Sequence, residues 1–156
     1  MRVEYINPFV ISAANILEQV AHLKVERGRV SLRPRMFPSP EVSVLLGVTG
    51  DVKGQVIYGM AQDSALAIAN RMMIDAEVLG FDEVARSAIG ELGNMITGNA
   101  TGILEKEGFV LNISPPAIIT GKEVSVSSTE ATVLVVPLHS EVGTLDINVT
   151  LELVKN

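Results

Sequence analysis

Residues 81–109, FDEVARSAIGELGNMITGNATGILEKEGF, read as one long amphipathic helix, and no other segment restricts the fold as strongly. The helix carries Gly90, Gly93, Gly98 and Gly102, and a glycine inside a helix costs about 1 kcal/mol relative to alanine. Something must offset that cost, either a second helix packed very closely or another molecule docked on this face. Glu91 and Asn94 lie three residues apart, a spacing that makes them surface neighbours roughly 5–6 Å apart at Cβ. An acid and an amide so placed can act together on one small target. Ser87, Gly90, Gly98 and Thr101, all small, are expected along the same face, and long charged side chains return only at Glu105, Lys106 and Glu107. The ordinary alternative is a solvated polar pair on an exposed helix. The glycines and the missing long side chains argue against it, because charged residues normally cover an exposed helix face.

At 156 residues the chain fits one domain, 1–156, long enough to bury roughly two thirds of its unfolded surface. A hydrophobic fraction of 47% with 19% charged residues marks a compact globular protein. Cysteine is absent, which excludes a disulfide framework, a cysteine nucleophile and a thiolate metal site. No apolar run has the length of a signal peptide or approaches about 20 residues, so a cytoplasmic protein with no membrane partner is expected. Net charge is −6, and the basic residues gather only at Arg27, Arg29, Arg33 and Arg35, which alternate as the solvated face of a strand would. Without a basic footprint or stacking aromatics, no nucleic-acid partner is expected.

A first helix is expected to start at Asn7-Pro8, with Asn7 as N-cap, and to end near His22. Residues 24–33 suggest a half-exposed strand that Pro34, Pro38 and Pro40 end. Residues 42–48 and 55–60 flank a TGDVKG turn and read as a β-hairpin, with the glycines at 47, 50 and 54 assigned to the turn. Asp63 can cap a short helix that closes around Asp75, with Met72 and Met73 filling the core. Asp82 caps the long helix, and Gly108 stops it. After the breaker Pro115-Pro116 come AIITG, EVSVSS, ATVLVVPL and TLDINVTLEL; the last three, rich in Val, Thr and Ile, are expected as antiparallel strands. The fold class that follows is α/β (α+β): a single domain with an antiparallel sheet and the two long helices packed on one face. Asn7, Ala13, Ile16 and Leu17 recur 87 residues later as Asn94, Ala100, Ile103 and Leu104, which suggests two halves related by duplication. His22 and His139 have no carboxylate or second histidine at ligand spacing and read as ordinary residues.

The run SAIGELGNMITGNA, with Glu91-Leu92-Gly93-Asn94 followed by Gly98-Asn99-Ala100, resembles the signature of the CheX, CheC and FliY group of bacterial chemotaxis phosphatases. INPFV at 6–10, the GVTGDVKGQVIYGM hairpin and ISPP at 113–116 are similar to CheX in particular. The resemblance implies hydrolysis of the aspartyl phosphate of a CheY-like response regulator. Asn94 would then orient the attacking water, and Glu91 would pair with a lysine of the regulator. Ser87, Gly90, Gly98 and Thr101 would meet the partner. It also implies that the required Mg2+ belongs to the regulator, so that no metal or other cofactor is expected in this chain, and that the chain forms a homodimer through its sheets. The strands near 42–60 and 124–153 are expected to offer the edges for that contact. CheC-type chains carry two E-x-x-N sites; here Glu4-Tyr5-Ile6-Asn7 has the spacing, but Pro8 follows at once, and the first half reads as a structural relic. A non-catalytic docking or flagellar-switch module, and a purely structural dimer in which Glu91 and Asn94 are buried, are the alternatives.

Overall fold

A computed structural model describes residues 3–38, 40–73, 76–121 and 125–154. The elements run α1 (Val3–Ala21), β1 (Glu26–Arg27), β2 (Ser31–Pro38), β3 (Val42–Gly50), β4 (Val52–Met60), α2 (Gln62–Met72), α3 (Glu83–Lys106), β5 (Leu111–Ile113), β6 (Ala117–Thr120), β7 (Ser125–Ser140) and β8 (Gly143–Leu153). Among the described residues the strands form one antiparallel sheet in the order β1-β7-β8-β4-β3-β5, with β2 on β7 and β6 on β3. Alternation decides which residues face the helices: Val42, Val44, Leu46 and Val48 of β3 join Val56 and Tyr58 of β4 and Ile147 and Val149 of β8 in the main core. The opposite face carries a small cluster of Ile57 and Val133, with Leu45 and Ile119 against it.

The three described helices pack on the first face, α3 across β3, β5 and β6, and α1 and α2 against β8. Tyr5, near the start of α1, sets its ring edge-on to Phe109, just past the end of α3, at 5.7 Å, so the two long helices run antiparallel. Their burial repeats at the spacing read from the sequence. Tyr5, Phe9, Ala13 and Leu17 are buried, and so are Leu92, Ile96, Ala100 and Leu104, whereas Glu4, Ile11 and Glu18 are exposed like Glu91, Gly98 and Glu105. Where the helices cross, equivalent positions meet: Ser12 Oγ donates to Asn99 Oδ1 at 2.8 Å.

Several expectations shift. Asn7 is not an N-cap; it lies inside α1, as does Pro8, and Glu4 is helical too. Pro8 is buried, and the packing of its neighbours Tyr5, Ile6 and Phe9 holds a helix that local rules end at proline. Pro34 lies within β2, which ends at Pro38; the strand's described partner is β7 alone, so the missing N–H breaks no second ladder. Arg33 is no solvated residue of an alternating face, since it reaches Asp146 of β8 at 3.3 Å; the Arg35 side chain lies outside the described residues. Asp63 sits in the first turn of α2, whose N-cap is Ala61, and Asp75 lies outside the described residues. Gly47 belongs to β3, where Ser114 Oγ accepts from its N–H at 2.7 Å. EVSVSS and ATVLVVPL run together as β7, apart from residues 123 and 124, which lie outside the described residues. The strands at 42–60 and 143–153 have neighbours on both sides, so the edges fall instead to β1, β2, β5 and β6. The Asp82 cap is as expected, its side chain accepting from Ala85 N–H at 3.0 Å, and Gly108 adopts φ +103 after the last turn.

The bond between α3 and the sheet is polar at one point. The Tyr58 phenol and the Thr97 hydroxyl share a 2.8 Å hydrogen bond, both fully buried. Burial pushes the Tyr58 phenol above its ordinary value of 10.0, and the Thr97 hydrogen bond offsets only part of that rise. Below pH 10 both folded and unfolded chains hold the proton; above it the unfolded chain loses it first, so stability falls as pH rises. Tyr58→Phe is expected to lower stability by about 1 kcal/mol at neutral pH and to remove this tyrosine's part of the alkaline loss, as read from denaturant midpoints between pH 8 and 11.

Candidate functional site

The inward stripe of α3 is Ile89, Leu92, Gly93, Ile96, Thr97, Ala100 and Leu104, a repeat of three and four that turns the other side of the helix to solvent. On that outer side stand Ser87, Glu91, Asn94 and Gly98, at intervals of four, three and four. Glu91 is exposed and Asn94 half-buried. Among the described residues neither side chain has a hydrogen-bond or ion-pair partner, so both functional groups are available to another molecule. Among the described residues of its own chain nothing covers the pair, so any burial of it would have to come from another molecule.

The small residues separate into two groups. Ser87 and Gly98 are exposed beside the pair, and nothing lies within 4 Å of a Cβ built on Gly98. Gly90 and Thr101, expected on the same outer face, are buried. A Cβ at Gly90 would come within 3.1 Å of Ile118 Cδ1 on β6, and the Thr101 hydroxyl donates to the Gly98 carbonyl at 3.0 Å. Gly93 approaches the sheet more closely still, with Val44 Cγ1 2.8 Å from the position of a Cβ. The cost of these two glycines is therefore offset by a sheet, not by a helix. The result is a helix pressed against strands from behind and left open in front.

Glu4 and Asn7, whose E-x-x-N spacing is legible in the sequence but which Pro8 argued against as a helical pair, are both exposed on α1, one turn apart, in the places that correspond to Glu91 and Asn94. Sequence reading missed one feature. Met72 and Met73 are only partly buried and, with Glu83, Val84, Ser87, Ala88 and Glu91, line an open groove of about 500 Å³ beside the pair. Two adjacent methionines next to an exposed valine at the second position of α3 were the only local hint.

Among the described residues no group of three or more His, Asp or Glu side chains could hold a metal ion. Among the described residues no helix is long and apolar enough to cross a membrane. His22 is exposed at the end of α1, and His139 Nδ1 lies 3.0 Å from Thr144 Oγ1.

A family model described as chemotaxis phosphatase CheX matches residues 42–139, a span that includes all of α3 but not α1. The CheY-P phosphatase CheX of Thermotoga maritima is 30% identical over 128 residues, 82% of this chain and 83% of that one. The crystal structure of the chemotaxis protein CheX from Vibrio vulnificus superposes with a TM-score of 0.85 at 27% identity, covering 96% of this chain and 99% of the other. CheX in the CheX–CheY–BeF3–Mg2+ complex of Borrelia burgdorferi superposes with a TM-score of 0.81 at 29% identity, covering 97% and 99%.

Proposed function

The chain belongs to the family of the chemotaxis phosphatase CheX, and from that premise we propose that it hydrolyses the aspartyl phosphate of a CheY-like response regulator, with Asn94 positioning water and Glu91 docking the partner. The observation that carries this reading is the open, unpartnered pair on a helix braced from behind. An acyl phosphate is already activated, so its hydrolysis needs chiefly a water held in line behind phosphorus. A carboxamide can hold that water, because its oxygen accepts from it while the N–H2 group tolerates the phosphoryl oxygens. A carboxylate next to the phosphoryl group would be repelled, which suits Glu91 to a lysine of the regulator instead. The phosphoryl group and its Mg2+ are the regulator's own on this reading, as the Borrelia burgdorferi complex of CheX with CheY, BeF3 and Mg2+ suggests. This chain adds one amide, one acid and the shape around them.

The proposal includes a cytoplasmic homodimer joined along sheet edges, with β2 the longest described edge, and no nucleic-acid or membrane partner. The Glu4–Asn7 pair is taken as inactive, a reading supported by the family match, which spans residues 42–139 and so takes in α3 but leaves α1 out. Asn7→Ala is accordingly expected to leave phosphate release unchanged, which sets it apart from its α3 counterpart.

The test is to mix catalytic amounts of the purified protein with each of a panel of phosphorylated receiver domains and follow release of inorganic phosphate. Accelerated release from at least one member is expected. Binding without acceleration would replace this reading with a non-catalytic docking or switch module. Glu91→Ala is expected to raise KM on the order of tenfold, through the lost charge contact, with a smaller effect on kcat.

A further inference from the structure

The groove beside Glu91 has no part in positioning water, and its composition is unusual for an acidic protein surface. Its floor and walls are apolar: Met72 and Met73 from the end of α2, Val84 and Ala88 from the first turns of α3. Val84 is 53% exposed, and Leu79, on the loop that enters α3, is 87% exposed. Two carboxylates, Glu83 and Glu91, stand in the lining, and among the described residues no lysine or arginine does. Arg71 of α2 is turned elsewhere, held by Glu141 at 2.7 Å and donating to the His22 carbonyl, while Arg86, exposed on the first turns of α3, is not in the lining. The groove's own support is fixed, because the Asn70 side chain both donates to the Val78 carbonyl, at 2.9 Å, and accepts from the Val78 N–H, at 2.7 Å. That pair ties the loop between α2 and α3 to α2.

We infer that this groove is the specificity site for the regulator: it receives an apolar side chain of the receiver domain from a segment that also carries a basic residue, next to the phosphorylation pocket that Asn94 enters. The inference rests on the proposed function, which brings the regulator to Glu91. Charge complementarity selects the occupant. Glu91 lines the groove and belongs to the pair, so a partner held at Glu91 covers the groove as well. Methionine walls are polarizable and adaptable, suited to an apolar side chain of irregular shape, while the carboxylates favour a cationic neighbour and reject an acidic one.

The experiment uses the full chain, its Val84→Arg and Met73→Arg variants, Glu83→Gln, and Asn94→Ala. Each is tested against the phosphorylated receiver domains for KM and kcat, and against the same domains loaded with beryllium fluoride for affinity. Both arginine variants are expected to raise KM and weaken binding on the order of tenfold or more, with kcat at saturation following the parent and melting temperatures near it. Glu83→Gln is expected to flatten the rise of KM with ionic strength, a change that a structural role would not produce. Parent-like KM and affinity in both folded arginine variants would overturn the groove while leaving the phosphatase reading in place. Weakened binding in a protein that releases no phosphate would keep the groove and overturn the catalysis. A parent that neither binds nor dephosphorylates any domain overturns both. If the arginine variants instead dissociate a dimer in sedimentation, with KM unchanged, the occupant is a second copy and the inference fails.

Discussion

Asn94→Ala lowers the turnover of phosphorylated regulator by on the order of 10²-fold or more, the expected loss when one positioning contact is removed. Its affinity for the beryllium-fluoride-loaded regulator stays near the parent's, because docking depends on Glu91 and the surface around it. Stability should hardly move, since the Asn94 side chain is only half-buried and has no partner among the described residues. Asn94→Asp separates shape from charge. It keeps the outline of the side chain but sets a carboxylate against phosphoryl oxygens, and is expected to be at least as inactive as alanine. The measurement is single-turnover phosphate release at saturating protein, with a thermal melt of each variant alongside. A variant that keeps the parent's rate would show that water is positioned by something else.

Gly93→Val gives the second large effect, and it falls on stability. The added Cβ would sit 2.8 Å from Val44 Cγ1 and 3.5 Å from Leu46 Cδ1, both residues fully buried. Val44 is β-branched and in the middle of β3, so it cannot swing aside as a long flexible side chain would. Overpacking of this kind costs about 1–3 kcal/mol. For a chain of this size that corresponds to a fall of roughly 2–4 °C in Tm per kcal/mol. Gly98→Ala has the opposite sign: its Cβ meets open space, so the helix gains about 0.5–1 kcal/mol. Two glycines five residues apart on one helix thus respond oppositely, and a pair of melts decides the matter. If Gly93→Val melts with the parent, α3 is not seated on β3 as described.

Much of this architecture is local enough to be read without coordinates. The extent of α3 follows from an N-cap at Asp82, a stop at Gly108 and a threefold-fourfold apolar repeat between them, all properties of neighbouring residues. The hairpin of β3 and β4 is signalled by two apolar runs around a glycine-containing turn. The adjacency of Glu91 and Asn94 follows from helical spacing alone. Errors arise where a distant segment overrides a local preference. Pro8 ends a helix by local rules, yet α1 continues through it because Tyr5, Ile6 and Phe9 are locked into the core. Pro34 of β2 marks an edge and Pro38 an end, and only the pairing with β7 reveals which.

The sequence by itself determined that an acid and an amide stand one helical turn apart, on a helix without long side chains around them, because i, i+3 geometry belongs to the helix and needs no partner. It did not determine which of the four glycines face the sheet and which face solvent. Nor did it determine that Met72, Met73 and Val84 leave a groove beside Glu91. Those outcomes depend on Val44, Leu46 and Ile118, and on where α2 ends against α3. Side chains far apart in the chain meet only when the sheet is assembled, so the tertiary structure alone decided which face of α3 remained open.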